Sequence, residues 1–316
     1  MQRQLVAGID GSSESFAAAH WAAREALRRG TSLRLVHAWE WHPHPAASVP
    51  ADSTQRHWAR HTLRQVEDSV RAAYPELHIT EEQVPDPPVS ALLTAAEQAD
   101  LLVLGSRGLS GVAGFLVGSV SQRVTAKSPR PVVLVRAGED AADEHFTGTG
   151  PGEGQEQETA GGRRGERDDT VESAPARDVV LGLDTARPCD ELIEFAFQAA
   201  RRRGAALHAV HAFSAPPAYA AVDRLVPPPG PELLAEHEHA VVATLRPWCG
   251  KFPGVTVTRT VTEGRPAAVL GRASTGAGLI VVGRRIRSGP LGARTGHVAH
   301  AVLHHADCPV AVVPHG

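Results

Sequence analysis

The sequence predicts an α/β protein built from two tandem doubly wound domains, each a five-stranded parallel sheet flanked by helices. Two observations carry this. Short apolar runs alternate with longer helical patterns, the rhythm of a parallel sheet with crossover helices. The whole pattern also occurs twice. "QLVAGIDGSSESFAAAHWAAREALRRGTSLRLVHAW" returns as "DVVLGLDTARPCDELIEFAFQAARRRGAALHAVHAF", with Asp184 matching Asp10 and His211 matching His37. "ADLLVLGSRG" and "SPRPVVLV" return as "AGLIVVGRRI" and "ADCPVAVV", with Gly283 matching Gly105 and Pro309 matching Pro131. A repeat of this length is one folding unit used twice.

Within the first copy, "RQLVAGI" is a short apolar run suited to a buried strand. Ser12 or Ser13 can cap the Ala-rich helix that runs on to about Arg29. "SLRLVHAW" is the second strand, followed by a helix from about Asp52 to Ala73 and a strand at "HITEEQV". A helix from about Val89 to Gln98, the strand "LLVLG", a helix from about Ser119 and the strand "PVVLV" complete the unit. In such sheets ligands sit beyond the carboxyl ends of the strands, and Asp10 and Gly105 both end strands there.

The repeats set domains at 1–136 and 178–316. Between them, 137–177 is rich in Gly, Glu and Arg and nearly free of large apolar residues, which predicts a flexible linker. A flexible chain of about 40 residues reaches roughly 35 Å, about a domain diameter. The final strands "PVVLV" and "PVAVV" are apolar edges that need cover, so the repeats are expected to pack through them, with a homodimer as a further possibility.

Composition narrows the function classes. With 42% apolar and 21% charged residues and a net charge of -3, the chain has the profile of a globular protein and no bulk charge for nucleic acid. No apolar run approaches the ~20 residues of a membrane span, and "MQRQLVAGID" has no signal-peptide core, so a cytoplasmic location and no membrane partner are expected. Cys189, Cys249 and Cys308 are widely spaced, which suggests neither a disulfide framework nor a thiolate metal site. His57 and His61 lack a third ligand, and His304, His305 and Cys308 fall at a helix C-terminus, so no metal is assigned. His37 and His211, inside apolar strands, read as core histidines.

The informative stretch is "GSRGLSGVAGFLVGSVSQRV", residues 105–124, which puts five glycines between an apolar strand and a helix. Glycine costs backbone entropy, so an ordered loop of this kind needs positive φ angles or close approach to something. A phosphate is the leading candidate, because backbone N–H groups and a helix N-terminus make an anion site.

Gly105-x2-Gly108-x9-Gly118-Ser119 resembles the ATP-binding pattern of the universal stress protein family. The likeness extends through "DGS" at 10–12, "VHAW" at 36–39 and the terminal "PVVLV", and covers nearly all of both repeats. The resemblance implies a strand order of 3-2-1-4-5 in each domain, often with domains paired through the last strand. It implies adenine against the backbone at Ala38 and the "DGS" residues Asp10, Gly11 and Ser12 beside the nucleoside, with Asp10 near the ribose and adenine. It also implies phosphates held by the backbones of Gly105, Arg107, Gly108, Gly118, Ser119 and Val120 and by the Ser119 hydroxyl. ATP is the implied ligand, with Mg²⁺ as its usual companion.

The second repeat keeps Asp184 but turns "DGS" into "DTA", Gly108 into Ile286 and Ser119 into His297. Its nucleotide motif is degenerate, and one ATP per chain is expected. Gly283 and Gly296 remain and Arg284, Arg285, Arg287 and Arg294 surround the site, so either drift after duplication or a distinct anionic ligand fits the second repeat. The function that follows is a nucleotide-dependent regulator in the stress response. A slow ATP hydrolase, or a scaffold with vestigial sites, is the alternative. Domain one shows no carboxylate pair, water-positioning Gln or Walker lysine of the kind that activates phosphoryl transfer, which weighs against an enzyme.

Overall fold

The computed structural model describes residues 4–39, 51–107, 117–137, 176–214, 231–286 and 295–316. The first half runs β1 (Gln4–Gly8), α1 (Ser13–Arg29), β2 (Ser32–Ala38), α2 (Ala51–Ala73), β3 (Ile79–Val84), α3 (Pro88–Glu97), β4 (Leu101–Gly105), α4 (Ser119–Lys127) and β5 (Val132–Val135). The second runs β6 (Val179–Gly182), α5 (Asp190–Arg203), β7 (Leu207–Phe213), α6 (Pro231–Lys251), β8 (Val257–Glu263), α7 (Pro266–Ala273), β9 (Leu279–Arg285), α8 (His297–His305) and β10 (Val310–His315). Most of the segment 137–177 lies outside the described residues.

Strands such as β1 read as continuous apolar runs because both faces are covered. Leu5 and Ala7 pack under one helical layer, while Val6 packs under the other. The first layer holds α1, α2, α5 and α6, and the second holds α3, α4, α7 and α8. Helix α1 begins where it does because the Ser12 Oγ accepts from the Ser15 amide, and it ends at Gly30 in the left-handed conformation.

Each half has the strand order 3-2-1-4-5, all parallel, but the two sheets are not separate. They merge into one ten-stranded sheet, β3-β2-β1-β4-β5-β10-β9-β6-β7-β8, through an antiparallel β5–β10 seam. Val132, Val133 and Leu134 face Val312, Ala311 and Val310 across it. On the α1–α5 side, the Glu25 carboxylate meets Arg203 at 2.8 Å and Arg29 at 2.6 Å. On the α4–α8 side, Arg284 and Arg136 each reach across to the opposite half.

Candidate functional site

A cavity of about 260 Å³ opens at the carboxyl ends of β1 and β4. Asp10, Ala38, Gly105, Arg107, Gly118, Ser119 and Val120 line it, so seven of the ten residues singled out in the sequence come together. Apolar walls come from Val36, Leu92 and Leu104. Gly11 and Ser12 are not part of the lining. Gly11 makes the turn after β1 at φ +86°, and Ser12 caps α1. Gly108 lies outside the described residues.

Asp10 is held from behind. Its Oδ1 accepts from the Ser12 amide at 3.0 Å and the Ser12 hydroxyl at 2.5 Å, leaving the second oxygen for a ligand. His37 Nδ1 lies 2.8 Å from the Ile9 carbonyl and ties the ends of β1 and β2 together. Burial pulls its pKa below the usual histidine range, against the opposing pull of that carbonyl and of the Asp10 charge. It is thus a partnered histidine, as the sequence suggested, and His211 makes the matching contact to the Leu183 carbonyl at 2.9 Å.

The glycines of the loop act differently from one another. Gly105 is glycine because α1 passes against it: a Cβ there would stand 2.8 Å from the Glu14 backbone carbon. Gly118 has φ −61° and ψ 149°, ordinary extended backbone, and its amide donates to the Ser106 carbonyl at 2.8 Å. Its N–H is therefore already engaged by a backbone acceptor, although the residue lines the cavity. The anion-binding potential lies in the next three amides, Ser119 to Ser121, which open α4 and have no intrahelical acceptor.

Two supporting residues were missed by the sequence reading. Glu14 pairs with Arg107 at 3.1 Å and orients the guanidinium at the cavity mouth. Ser121 donates its hydroxyl to the Gly105 carbonyl at 2.7 Å, pinning the start of α4 to the end of β4. Neither contact has a local sequence signal, since each depends on how α1 or α4 meets the β4 terminus.

The second half has its own cavity, about 410 Å³, at the ends of β6 and β9. Asp184, Arg187, His211, Arg285, His297 and His315 supply its polar lining. Helix α5 starts at Asp190, capped weakly by the Cys189 sulfur, which accepts from the Leu192 amide at 3.4 Å. Burial pushes the Cys189 thiol up to about 11, so it stays protonated at neutral pH. The His315 ring rests against Gly283, where a Cβ would stand 2.9 Å from Nε2. Ile286, in place of Gly108, continues the strand pairing by donating its amide to the His315 carbonyl at 2.7 Å. His211 Nε2 lies 3.0 Å from His237 Nδ1, and the His237 ring stacks on Phe213 with centroids 3.9 Å apart. Among the described residues, no group of three or more His, Cys, Asp or Glu is placed to hold a metal ion, and no helix is long and apolar enough to cross a membrane.

Comparison with known proteins agrees with this architecture. The chain is 31% identical over 323 residues to the universal stress protein Rv2005c of Mycobacterium tuberculosis, covering 98% of this chain and 97% of that one. It is also 31% identical over 320 residues to the universal stress protein Rv2623 of the same organism, covering 98% and 95%. The crystal structure of a universal stress protein from Archaeoglobus fulgidus superposes with a TM-score of 0.68 at 17% identity, covering 99% of this chain and 98% of that one, which speaks to the fold. The family model for the universal stress protein family matches residues 1–136 and again 175–314. With both halves matched and the relatives aligned end to end, the chain belongs to the universal stress protein family, as a tandem two-domain member.

Proposed function

We propose that this universal stress protein binds ATP in the first-half cavity and that occupancy regulates how the protein engages partners under stress. The single observation that carries the reading is the convergence of Asp10, Ala38 and Arg107 with the unpaired first-turn amides of α4 around one cavity. Its apolar walls suit a nucleobase, and the free Asp10 oxygen suits a ribose hydroxyl. The volume, about 260 Å³, suits a nucleoside, with the phosphates lying along Ser119–Ser121 toward Arg107.

Asp10 is the one carboxylate among the described lining residues, and Ser12 already engages it. A magnesium ion would therefore arrive with the triphosphate and keep its waters rather than take a cage of protein ligands. The same lack of a second acidic group or a positioned base favours binding without turnover.

Mass spectrometry of small molecules released from the heat-denatured, purified protein tests this, together with calorimetric titration with ATP. One adenine nucleotide per chain is the expected result. No uptake of ATP, AMP or other adenine nucleotides at millimolar concentration would overturn the reading, and continuous phosphate release would replace it with that of a hydrolase.

A further inference from the structure

The phosphate end of the first cavity is one end of α4, and the other end of that helix is held by the second half of the chain. Arg284, near the carboxyl end of β9, donates from Nη1 to the Ala126 carbonyl at 2.9 Å and from Nη2 to the Ser128 carbonyl. The first is one of the last carbonyls of α4, and the second belongs to Ser128, the residue that caps its C-terminus. Arg284 is only 4% exposed, and burial draws its pKa down from the usual arginine range. Among the described residues no carboxylate pairs with it. Its partners are backbone carbonyls, reached through Nη1 and Nη2, while Nε is buried without one, so the cation depends on the negative end of the helix dipole. The positive end of that dipole, nine residues or about 13 Å away, faces the first cavity.

The arrangement is reciprocal. Arg136, just after β5, donates from Nη2 to the His304 carbonyl at 2.9 Å and the Leu303 carbonyl at 3.4 Å, at the C-terminal end of α8. The N-terminus of α8 lines the second cavity through Gly296 and His297. Arg284 itself is rooted between Gly283 and Arg285, which both line that second cavity. Because the seam is antiparallel, each of these two helices begins at its own half's cavity and ends in the grip of an arginine rooted in the other half.

We propose that Arg284 is a positioning residue for the phosphate site of the first cavity, so that anion binding at the start of α4 is coupled to the second half's hold on its end. This rests on the nucleotide reading above. A cation at the C-terminus and an anion at the N-terminus of one short helix both interact favourably with the same dipole, and fixing one end positions the amides at the other. Coupling is mutual: whatever displaces the end of β9 in the second cavity shifts the affinity of the first.

The test uses the full chain with Arg284→Met, Arg284→Lys and Arg136→Met, read by ATP calorimetry and by amide hydrogen exchange without ligand. Arg284→Met should bind ATP about ten-fold more weakly, Arg284→Lys should recover part of the loss, and Arg136→Met should stay within about two-fold of the parent. Exchange at the Gln122 amide, which closes the first turn of α4 against the Gly118 carbonyl, should rise about ten-fold in Arg284→Met. Parental ATP affinity in a folded Arg284→Met overturns the coupling and leaves the nucleotide reading intact. If the parent takes up no ATP, the nucleotide reading fails and exchange decides: a parental rate at Gln122 overturns the coupling as well. Should Arg284→Met not fold, Arg284→Lys carries both readouts, with about a three-fold loss expected and parental values in both overturning it.

Discussion

Glu25 of the first half and Arg203 of the second meet at 2.8 Å with side chains 1% and 5% exposed, so the seam between the halves contains a buried charge pair. Arg29 and Arg28 reach the same carboxylate at 2.6 and 3.8 Å, and Arg203 also lies over the Trp21 ring, 5.5 Å from its centroid. Removing the anion leaves three guanidiniums facing one another in a largely buried site. Glu25→Gln should cost about 3–5 kcal/mol, read from urea denaturation at neutral pH. A loss below about 1 kcal/mol would mean that water relieves the cluster.

The same carboxylate sets an acid limit. Burial works against the Glu25 charge, but Arg203, Arg29 and Arg28 overcome it and hold its pKa at about 2, below the ordinary 4.5. A group whose pKa falls on folding contributes stability above its unfolded value, and that contribution is lost as pH drops toward the folded value. The protein should therefore lose stability between about pH 4.5 and 2, and the loss should be shallower in Glu25→Gln. Parallel pH profiles for the two proteins would place the acid sensitivity elsewhere.

Ser12 is a helix cap and the backing of Asp10 at once. Ser12→Ala removes the acceptor for the Ser15 amide and the hydroxyl that holds Asp10 Oδ1. A loss of about 1 kcal/mol is expected from the cap alone, seen as a lower Tm with the fold unchanged by circular dichroism. An unchanged Tm would show that water replaces the hydroxyl at no cost.

Gly118 tests where the phosphates lie. Its extended backbone accepts any residue, so Gly118→Glu should fold. The new carboxylate would sit at the mouth of the α4 amides and repel an anion there, lowering ATP affinity at least about ten-fold by calorimetry. Parental affinity would mean that the phosphates leave the cavity by another route. The matching change in the second half is a poor control, because Gly296 sits at φ +81°, where a side chain is strained.

The elements were legible in the sequence because their signals are local. Buried strands such as "LLVLG" are apolar on both faces, and α1 is bracketed by Ser12 and Gly30. Most of the first cavity was legible for the same reason, since Asp10, Arg107 and Ser119 stand at strand ends and a helix start. Contacts that need two distant elements were not. The Glu14–Arg107 pair, the Ser121 bond to Gly105 and the Arg284 bridge to Ala126 span 93, 16 and 158 residues of chain. The Gly118 amide shows the same limit: residue type places it at the cavity, but its bond to the Ser106 carbonyl could not be read from the sequence.

The antiparallel join of β5 to β10 also fixes what an interacting protein can see. Strands of the two halves point in opposite directions, so their carboxyl ends, and the two cavities, open on opposite rims of the one sheet. A rigid globular partner seated over one mouth has no access to the other. The two openings therefore face away from each other, and each can be covered without the other being touched.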